Sequence, residues 1–261
     1  MSLVGEERKQ HILNVINDIG KVRTTELVST LGVSSETIRK YLEELEDTNR
    51  LRRVYGGAVK MSLEREELPH GQREVIHVEE KQRVGREAAS RVENQDVIFI
   101  DDGSTTLQMI HFLRYKENVT IITNSVSGLN LLMEYQNKDM FMGEIIFIGG
   151  RIVSKHYRSS GSMAEAMMTG LFPNKAFVSI DGLTPHRGIT SFDADRAMLA
   201  GVFIRNSAET IVLTDSSKLG VTSPYQMASL QQVDQIICDT LPPQGWEEVL
   251  KKKGTTWVVA R

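Results

Sequence analysis

The chain is 261 residues long, 40% hydrophobic and 25% charged, which suits a globular protein of one or two domains with a sizeable core. Its net charge of −3 argues against a uniformly basic nucleic-acid binder, and residues 1–60 carry ten Lys and Arg against nine Asp and Glu, so any DNA-binding charge has to be local. The single cysteine, Cys238, excludes a disulfide framework or a Cys-rich zinc site; no stretch approaches the roughly 18 apolar residues of a membrane span, and no signal-peptide core opens the chain, so a cytoplasmic protein is expected.

In the first 60 residues, Ile12, Val15, Ile16 and Ile19 recur at helical spacing and predict an amphipathic helix stopped by Gly20. Thr24 or Thr25 can cap a short second helix ending near Leu31, and Gly32-Val33 forms a tight turn. Ser34 or Ser35 caps a third helix with the apolar stripe Ile38, Leu42 and Leu45, which runs out near Asn49. Arg50–Val54 and Ala58–Lys60 read as a hairpin around Gly56-Gly57. This order is that of a winged helix-turn-helix, whose second motif helix enters the major groove with its N-terminal residues at the base edges.

The candidate DNA contacts follow from that geometry. The stripe faces inward, so Ser34, Ser35, Thr37 and Arg39 are placed at the reading end of the third helix. Arg39 can grip guanine with two hydrogen bonds, and hydroxyls can contact several bases. Lys40 suits a phosphate, and Arg50, Arg52 and Arg53 form a basic strip for phosphates or a minor groove.

Residues 61–78 are polar and contain Pro69 and Gly71, the composition of a linker, and a helix is expected from about Glu79 to Val92. From about residue 95, apolar runs at 97–100, 119–122, 145–148, 176–180 and 211–213, with weaker ones at 235–238 and 257–260, alternate with helical stretches at 105–113, 125–135, 162–170, 194–206 and 246–252. Short, nearly continuous apolar strands alternating with helices imply a mainly parallel sheet covered on both faces. The expected class is therefore α/β: a DNA-binding domain over 1–60, a linker over 61–78 and a Rossmann-like effector domain over 79–261.

Five of these strands end in small, polar or charged residues: Asp101–Thr106, Thr123–Ser125, Gly149–Arg151, Asp181-Gly182 and Thr214–Lys218. Ligands of open parallel sheets bind beyond the strands' carboxyl ends, so these loops converge on one crevice. Their chemistry fits a polyol phosphate. Gly103, Ser104, Thr105 and Thr106 open a helix where backbone N–H groups and hydroxyls can hold a phosphate, and Asn124 and Ser125 offer a second such start. Gly150 is among the small loop residues, Arg151 and Lys218 supply positive charge, and Asp101 and Asp181 accept from sugar hydroxyls. Neither a Walker A loop nor Gly-x-Gly-x-x-Gly occurs, and Asp101-Asp102 has no His or Cys companions, so neither a nucleotide cofactor nor a metal is expected.

Val33–Leu45, with Thr37-Ile38-Arg39-Lys40-Tyr41-Leu42 at its centre, and Leu51-Arg52-Arg53-Val54-Tyr55-Gly56-Gly57-Ala58 resemble the signature of the DeoR family of bacterial repressors. That family usually has Arg-Asp where Lys40-Tyr41 stands, so operator preference does not carry over. Asp101–Thr106, Thr123-Asn124-Ser125, Gly149-Gly150 and Asp215-Ser216-Ser217-Lys218 resemble the family's sensor domain, and the likeness runs to about residue 240. The resemblance implies a fold similar to ribose-5-phosphate isomerase, a phosphorylated-sugar effector that releases DNA, and Asp101, Gly103, Thr105, Thr106, Asn124 and Lys218 around that effector. Asp195 stands where relatives commonly have Lys. The isomerases' Asp-Gly-x-Asp pattern is incomplete, because Thr184 stands at its second acid, so a repressor without catalytic residues is expected. The alternatives are a regulator sensing a non-sugar metabolite and a DNA-binding protein with residual isomerase activity. One winged domain covers little DNA, so a homodimer or homotetramer on repeated half-sites is expected.

Overall fold

The computed structural model describes the backbone of residues 3–19, 21–48, 50–60 and 67–261, and within these the side chains of all but residues 3, 4, 17–19, 52 and 60. The chain forms two compact units that divide between Arg65 and Glu66.

The first unit runs α1 (Leu3–Ile19), β1 (Lys21–Arg23), α2 (Thr24–Leu31), α3 (Ser35–Asp47), β2 (Leu51–Val54) and β3 (Gly57–Lys60). Ile38, Leu42 and Leu45 of α3 are buried in one core with Ile12, Leu13 and Ile16 of α1, Leu27 of α2, Leu51 and Ala58. Each large side chain buried in this way contributes about 1.5–3 kcal/mol. The turn into α3 depends on Gly32, left-handed at φ 63, whose N–H closes back on the Val28 carbonyl. Ser34, not Ser35, is the α3 cap: its Oγ accepts from the Thr37 N–H at 3.2 Å. Neither Thr24 nor Thr25 caps α2. Arg23 precedes the helix, and its N–H donates to the Glu26 carboxylate at 3.3 Å. β3 pairs antiparallel with both β2 and β1, making the wing three-stranded. At three residues β1 is too short to show a period. The helix stops expected at Gly20 and Asn49 lie outside the described residues.

The second unit opens with α4 (His70–Glu74) and α5 (Val78–Ser90), then β4 (Val97–Ile100), α6 (Ser104–Ile110), β5 (Thr120–Thr123), α7 (Val126–Asn137) and β6 (Glu144–Phe147). The hairpin β7 (Arg151–Val153) and β8 (Arg158–Ser160) leads to α8 (Ser162–Met168) and β9 (Lys175–Ser179). β10 (Gly182–Thr184), β11 (Gly188–Ser191), α9 (Ala194–Asn206), β12 (Glu209–Thr214), β13 (Tyr225–Ala228), β14 (Gln235–Cys238), α10 (Glu247–Lys253) and β15 (Thr256–Val259) complete it.

Seven strands form a parallel sheet in the order β15-β14-β12-β9-β4-β5-β6. Successive strand residues face opposite ways, and both faces are apolar. Phe99, Ala176, Val178, Val212 and Ile236 pack in the core shared with α8, α9 and α10. Ile98, Ile100, Phe177, Ile211, Leu213 and Ile237 pack in the one shared with α5, α6 and α7. A small antiparallel sheet, β10-β11-β13, follows β9. The linker expected over 61–78 is not linker throughout. From Glu67 onward the chain is part of the second unit, because Glu67 is a buried ion-pair partner and His70–Glu74 is helical.

Candidate functional site

In the first unit, α3 turns Ser35, Glu36, Arg39, Lys40 and Glu43 to solvent. A groove of about 580 Å³ lies beside it, lined by Thr25, Ser35, Arg39, Arg53, Tyr55 and Gly56. Thr37 is half-buried, its hydroxyl 2.9 Å from that of Ser34, so both hydroxyls also serve the helix start. Arg50 is exposed. Arg53 lies between two acids of α3, 3.6 Å from Glu43 and 3.7 Å from Glu46, and this partly neutralises the expected basic strip. The Arg52 side chain lies outside those described. Tyr55, fully exposed at the wing tip, was not singled out by sequence reasoning. Its position between the two hairpin strands was the available signal.

In the second unit the strand order reverses beside β4, where the expected site falls. From β4 the chain steps outward through β5 to β6, then returns to β9 on the other side of β4. In such sheets the space beyond the strand ends at this switch point receives ligands. Asp101 and Asp102 follow β4, and Ser179 and Asp181 mark the end of β9. The β4–α6 turn presses so closely on β9 that a Cβ on Gly103 would sit 1.9 Å from Ser179 Oγ. Glycine is required there by that approach.

These groups are buried, and they are organised by two arginines. Arg196, from α9 and 3% exposed, donates through Nη1 to Asp181 at 2.9 Å and through Nη2 to Ser179 Oγ at 2.8 Å. It also lies 3.3 Å from each of Asp101 and Asp102. Arg158, from β8 and fully buried, donates through Nη1 to Glu67 at 2.7 Å and to Asp102 at 3.0 Å, and its Nη2 is 3.4 Å from Asp193. Arg73 Nη1 is 2.8 Å from the other oxygen of Glu67. Burying isolated ions costs several kcal/mol each, and only such mutual pairing offsets it.

The charges set each other's protonation. Burial alone would raise Asp102, but Arg196 and Arg158 hold its carboxyl well below the usual range. Asp181 is likewise held low against burial, first by Arg196, then by the Phe192 N–H and the Lys218 charge. Burial pushes Asp101 upward against the pull of Arg196. Asp101 is fixed by donors from Gly103 N–H at 3.0 Å, Thr106 Oγ1 at 2.7 Å and Ser179 N–H at 2.8 Å. Lys81 of α5 is lowered to about 8, chiefly by burial, with Lys218 pushing the same way against Asp215.

The structure thus brings together Asp101, Gly103, Thr106, Asp181 and, within electrostatic reach, Lys218. Ser104 and Thr105 are buried at the start of α6. Asn124 is tied by its Nδ2 to the Ser159 carbonyl at 3.1 Å, and Ser125 Oγ caps α7 by accepting from Gly128 N–H at 3.0 Å. Two residues are placed differently. Gly150 packs on Ser160 and Ala164, and Arg151 is exposed and paired with Asp195, so its charge serves the start of α9. Thr184 accepts from Arg187 N–H at 3.2 Å in the β10–β11 turn. Sequence reasoning missed Arg196, Arg73 and Glu67, and left Arg158 between a crevice border and an exposed loop. The arginines sit in a helix, a short hairpin and a segment read as linker, and nothing local distinguishes them. The signal available was an excess of strand-end acids that required counter-ions. Among the described residues, no group of three His, Cys, Asp or Glu side chains is placed to hold a metal ion, and no helix is long and apolar enough to cross a membrane.

The profile of the DeoR-like helix-turn-helix domain matches residues 8–63, and that of the DeoR C-terminal sensor domain matches residues 76–240. An uncharacterized HTH-type transcriptional regulator, YulB, of Bacillus subtilis is 34% identical, over 95% of this chain and 94% of its own. The HTH-type transcriptional repressor GlcR of the same bacterium is 30% identical over 97% and 96%. The glycerol-3-phosphate regulon repressor of Escherichia coli is 31% identical over 94% of each chain. Among solved structures, ribose 5-phosphate isomerase A of Methanocaldococcus jannaschii aligns over 53% of each chain with 20% identity and a TM-score of 0.39.

Proposed function

The chain belongs to the DeoR family of DNA-binding transcriptional regulators, and from that premise we propose a repressor of a carbohydrate catabolic operon that leaves its operator when a phosphorylated sugar enters the second unit. Residues 1–60 are its DNA-binding domain, and the effector domain extends from the end of a short linker to the last strand. The observation that carries the effector reading is the buried charge network at the sheet's switch point. Guanidinium groups and an ammonium suit a phosphate, while Asp101 and Asp181, with the hydroxyls of Ser104, Thr105 and Thr106, suit a polyol. Asn124, Ser125 and Lys218 border the same site. The names of GlcR and of the glycerol-3-phosphate regulon repressor support a sugar or polyol phosphate as ligand class.

On DNA, Ser35 and Arg39 read bases, with Ser34 and Thr37 setting the helix start. Lys40, Arg50, Arg52 and Arg53 meet phosphates. The copies act as a homodimer or homotetramer on repeated half-sites; exposed Met163, Met167, Phe172 and Met198 supply apolar surface for subunit contact.

The reading makes binding, not turnover, the task of the crevice. The test is a panel of sugar phosphates added to the protein on operator DNA, following DNA release and product formation together. Release by one phosphorylated sugar without turnover is expected. Turnover at an enzyme-like rate, or release only by an unphosphorylated compound, would overthrow it.

A further inference from the structure

Glu67 is the first described residue after 61–66, and its side chain is 2% exposed. A carboxylate at that depth is tolerated only because two guanidiniums hold it: Arg158 Nη1 at 2.7 Å on one oxygen and Arg73 Nη1 at 2.8 Å on the other. His156 Nδ1 lies 3.5 Å away. Glu67 does not exhaust what these arginines can donate. Among the described residues, Arg158 Nε and Nη2 and Arg73 Nη2 are buried without a hydrogen-bond partner, although Asp193 lies within ion-pair distance of Arg158 Nη2. Among the same residues, buried Ser160 Oγ, His156 Nδ1 and the acceptors Asn124 Oδ1 and Glu67 Oε1 also lack a hydrogen-bond partner, Glu67 Oε1 having only the ion-pair contact with Arg73. Buried polar groups normally find partners. A set of orphaned guanidinium donors beside an orphaned hydroxyl matches a ligand with more oxygens than a carboxylate has.

The segment carrying Glu67 is fastened at further points. His70 Nε2 is 3.0 Å from Ser127 Oγ at the start of α7. The carbonyls at the end of α4 are held by Lys81, whose Nζ donates to Arg73 O at 2.5 Å and Ile76 O at 2.8 Å. Lys81 is within reach of the Lys218 and Asp215 charges. Residues 67–76 are therefore strapped down by Arg158 of the buried network, by Ser127 and by Lys81.

We propose that Glu67 is a built-in anion that occupies Arg158 and Arg73 in the free protein, and that an anionic effector group takes these arginines by displacing it, unfastening the segment that leads back to residues 61–66. This rests on the reading of the crevice as an effector site and adds its regulation. A ligand shifts a conformation only by binding its two states unequally. Competition for the same two guanidiniums supplies that inequality, because the strapped state and the ligand-filled state exclude each other.

The test titrates inorganic phosphate and a set of phosphorylated sugars into full-length wild-type, Glu67→Asp and Glu67→Gln proteins, while hydrogen exchange follows the amides of residues 67–76. Glu67→Gln, lacking the competing charge, should bind inorganic phosphate on the order of tenfold tighter than wild type, with residues 67–76 exchanging fast before any ligand is added. Glu67→Asp keeps the charge on a shorter arm and should fall between the two. A flat affinity series, or a segment equally protected in all three, overturns the proposal. Rising phosphate affinity along the series, with no phosphorylated sugar preferred over bare phosphate, leaves the strap standing and removes the sugar-phosphate reading instead.

Discussion

The two units use the same residue type in opposite ways. Arg39 of α3 is exposed, and the chemistry proposed for it faces outward. Arg196 of α9 is 3% exposed and spends its donors on Asp181, Ser179, Asp101 and Asp102. In the first unit the core is apolar and the charges lie at its surface or, like Lys9 with Glu6 and Glu44, at its edge. In the second, charge is part of the interior, and Glu67, Asp101, Asp102 and Asp181 are each held there by a guanidinium. Function and stability are thus separable in one unit and entangled in the other.

The largest test of that contrast is Arg196→Met. It leaves Asp101, Asp102 and Asp181 buried without their shared counter-ion, and breaking such a pairing costs about 3–5 kcal/mol. Urea unfolding monitored by probes in each unit should show the second unit weakened and the first unchanged. Burial already pushes the Asp101 carboxyl up against the pull of Arg196; without that pull its folded pKa lies further above the unfolded one, so its share of stability is lost as pH rises through the folded pKa and regained as pH is lowered. A variant as stable as wild type, or one whose loss is independent of pH, would break the comparison.

Arg39→Ala is the matching experiment in the first unit. Loss of a bidentate base contact should cost about 1–3 kcal/mol of operator discrimination. Unfolding should shift by no more than about 0.5 kcal/mol, as for a surface change away from packing. Undiminished discrimination in a binding assay would remove Arg39 from the reading surface; a large loss of stability would show that the first unit is as entangled as the second.

The same contrast explains what could be read in the chain. Ile38, Leu42 and Leu45 announced their helix because an apolar stripe is a local pattern, and the apolar runs of β4, β9 and β12 announced a parallel sheet for the same reason. Asp101, Asp181 and Lys218 were visible because strand ends in such a sheet share one address. Glu67 was not, and the pairing of Arg158 with it was not. Their bond joins positions 91 residues apart, and each stands in a stretch whose local composition reads as loop. The strands β7, β8, β10 and β11, three or four residues long, carry no period of their own. Arg151 follows a strand end, yet it is exposed and its charge is taken by Asp195 rather than by the buried acids. Proximity in sequence to a site did not decide where the side chain went.

The account rests on one unit binding DNA and the other deciding when it lets go, and Lys218→Ala tests this most directly. Lys218 is half-buried, and its charge reaches Asp181 and Lys81 without belonging to the Arg158–Arg196 network. The measurement is operator binding by wild type and variant as the phosphorylated sugar that releases the wild type is titrated in. The account predicts equal operator affinity without sugar and, for the variant, DNA retained at sugar concentrations that clear the wild type. Release of the variant at the wild-type concentration would contradict it.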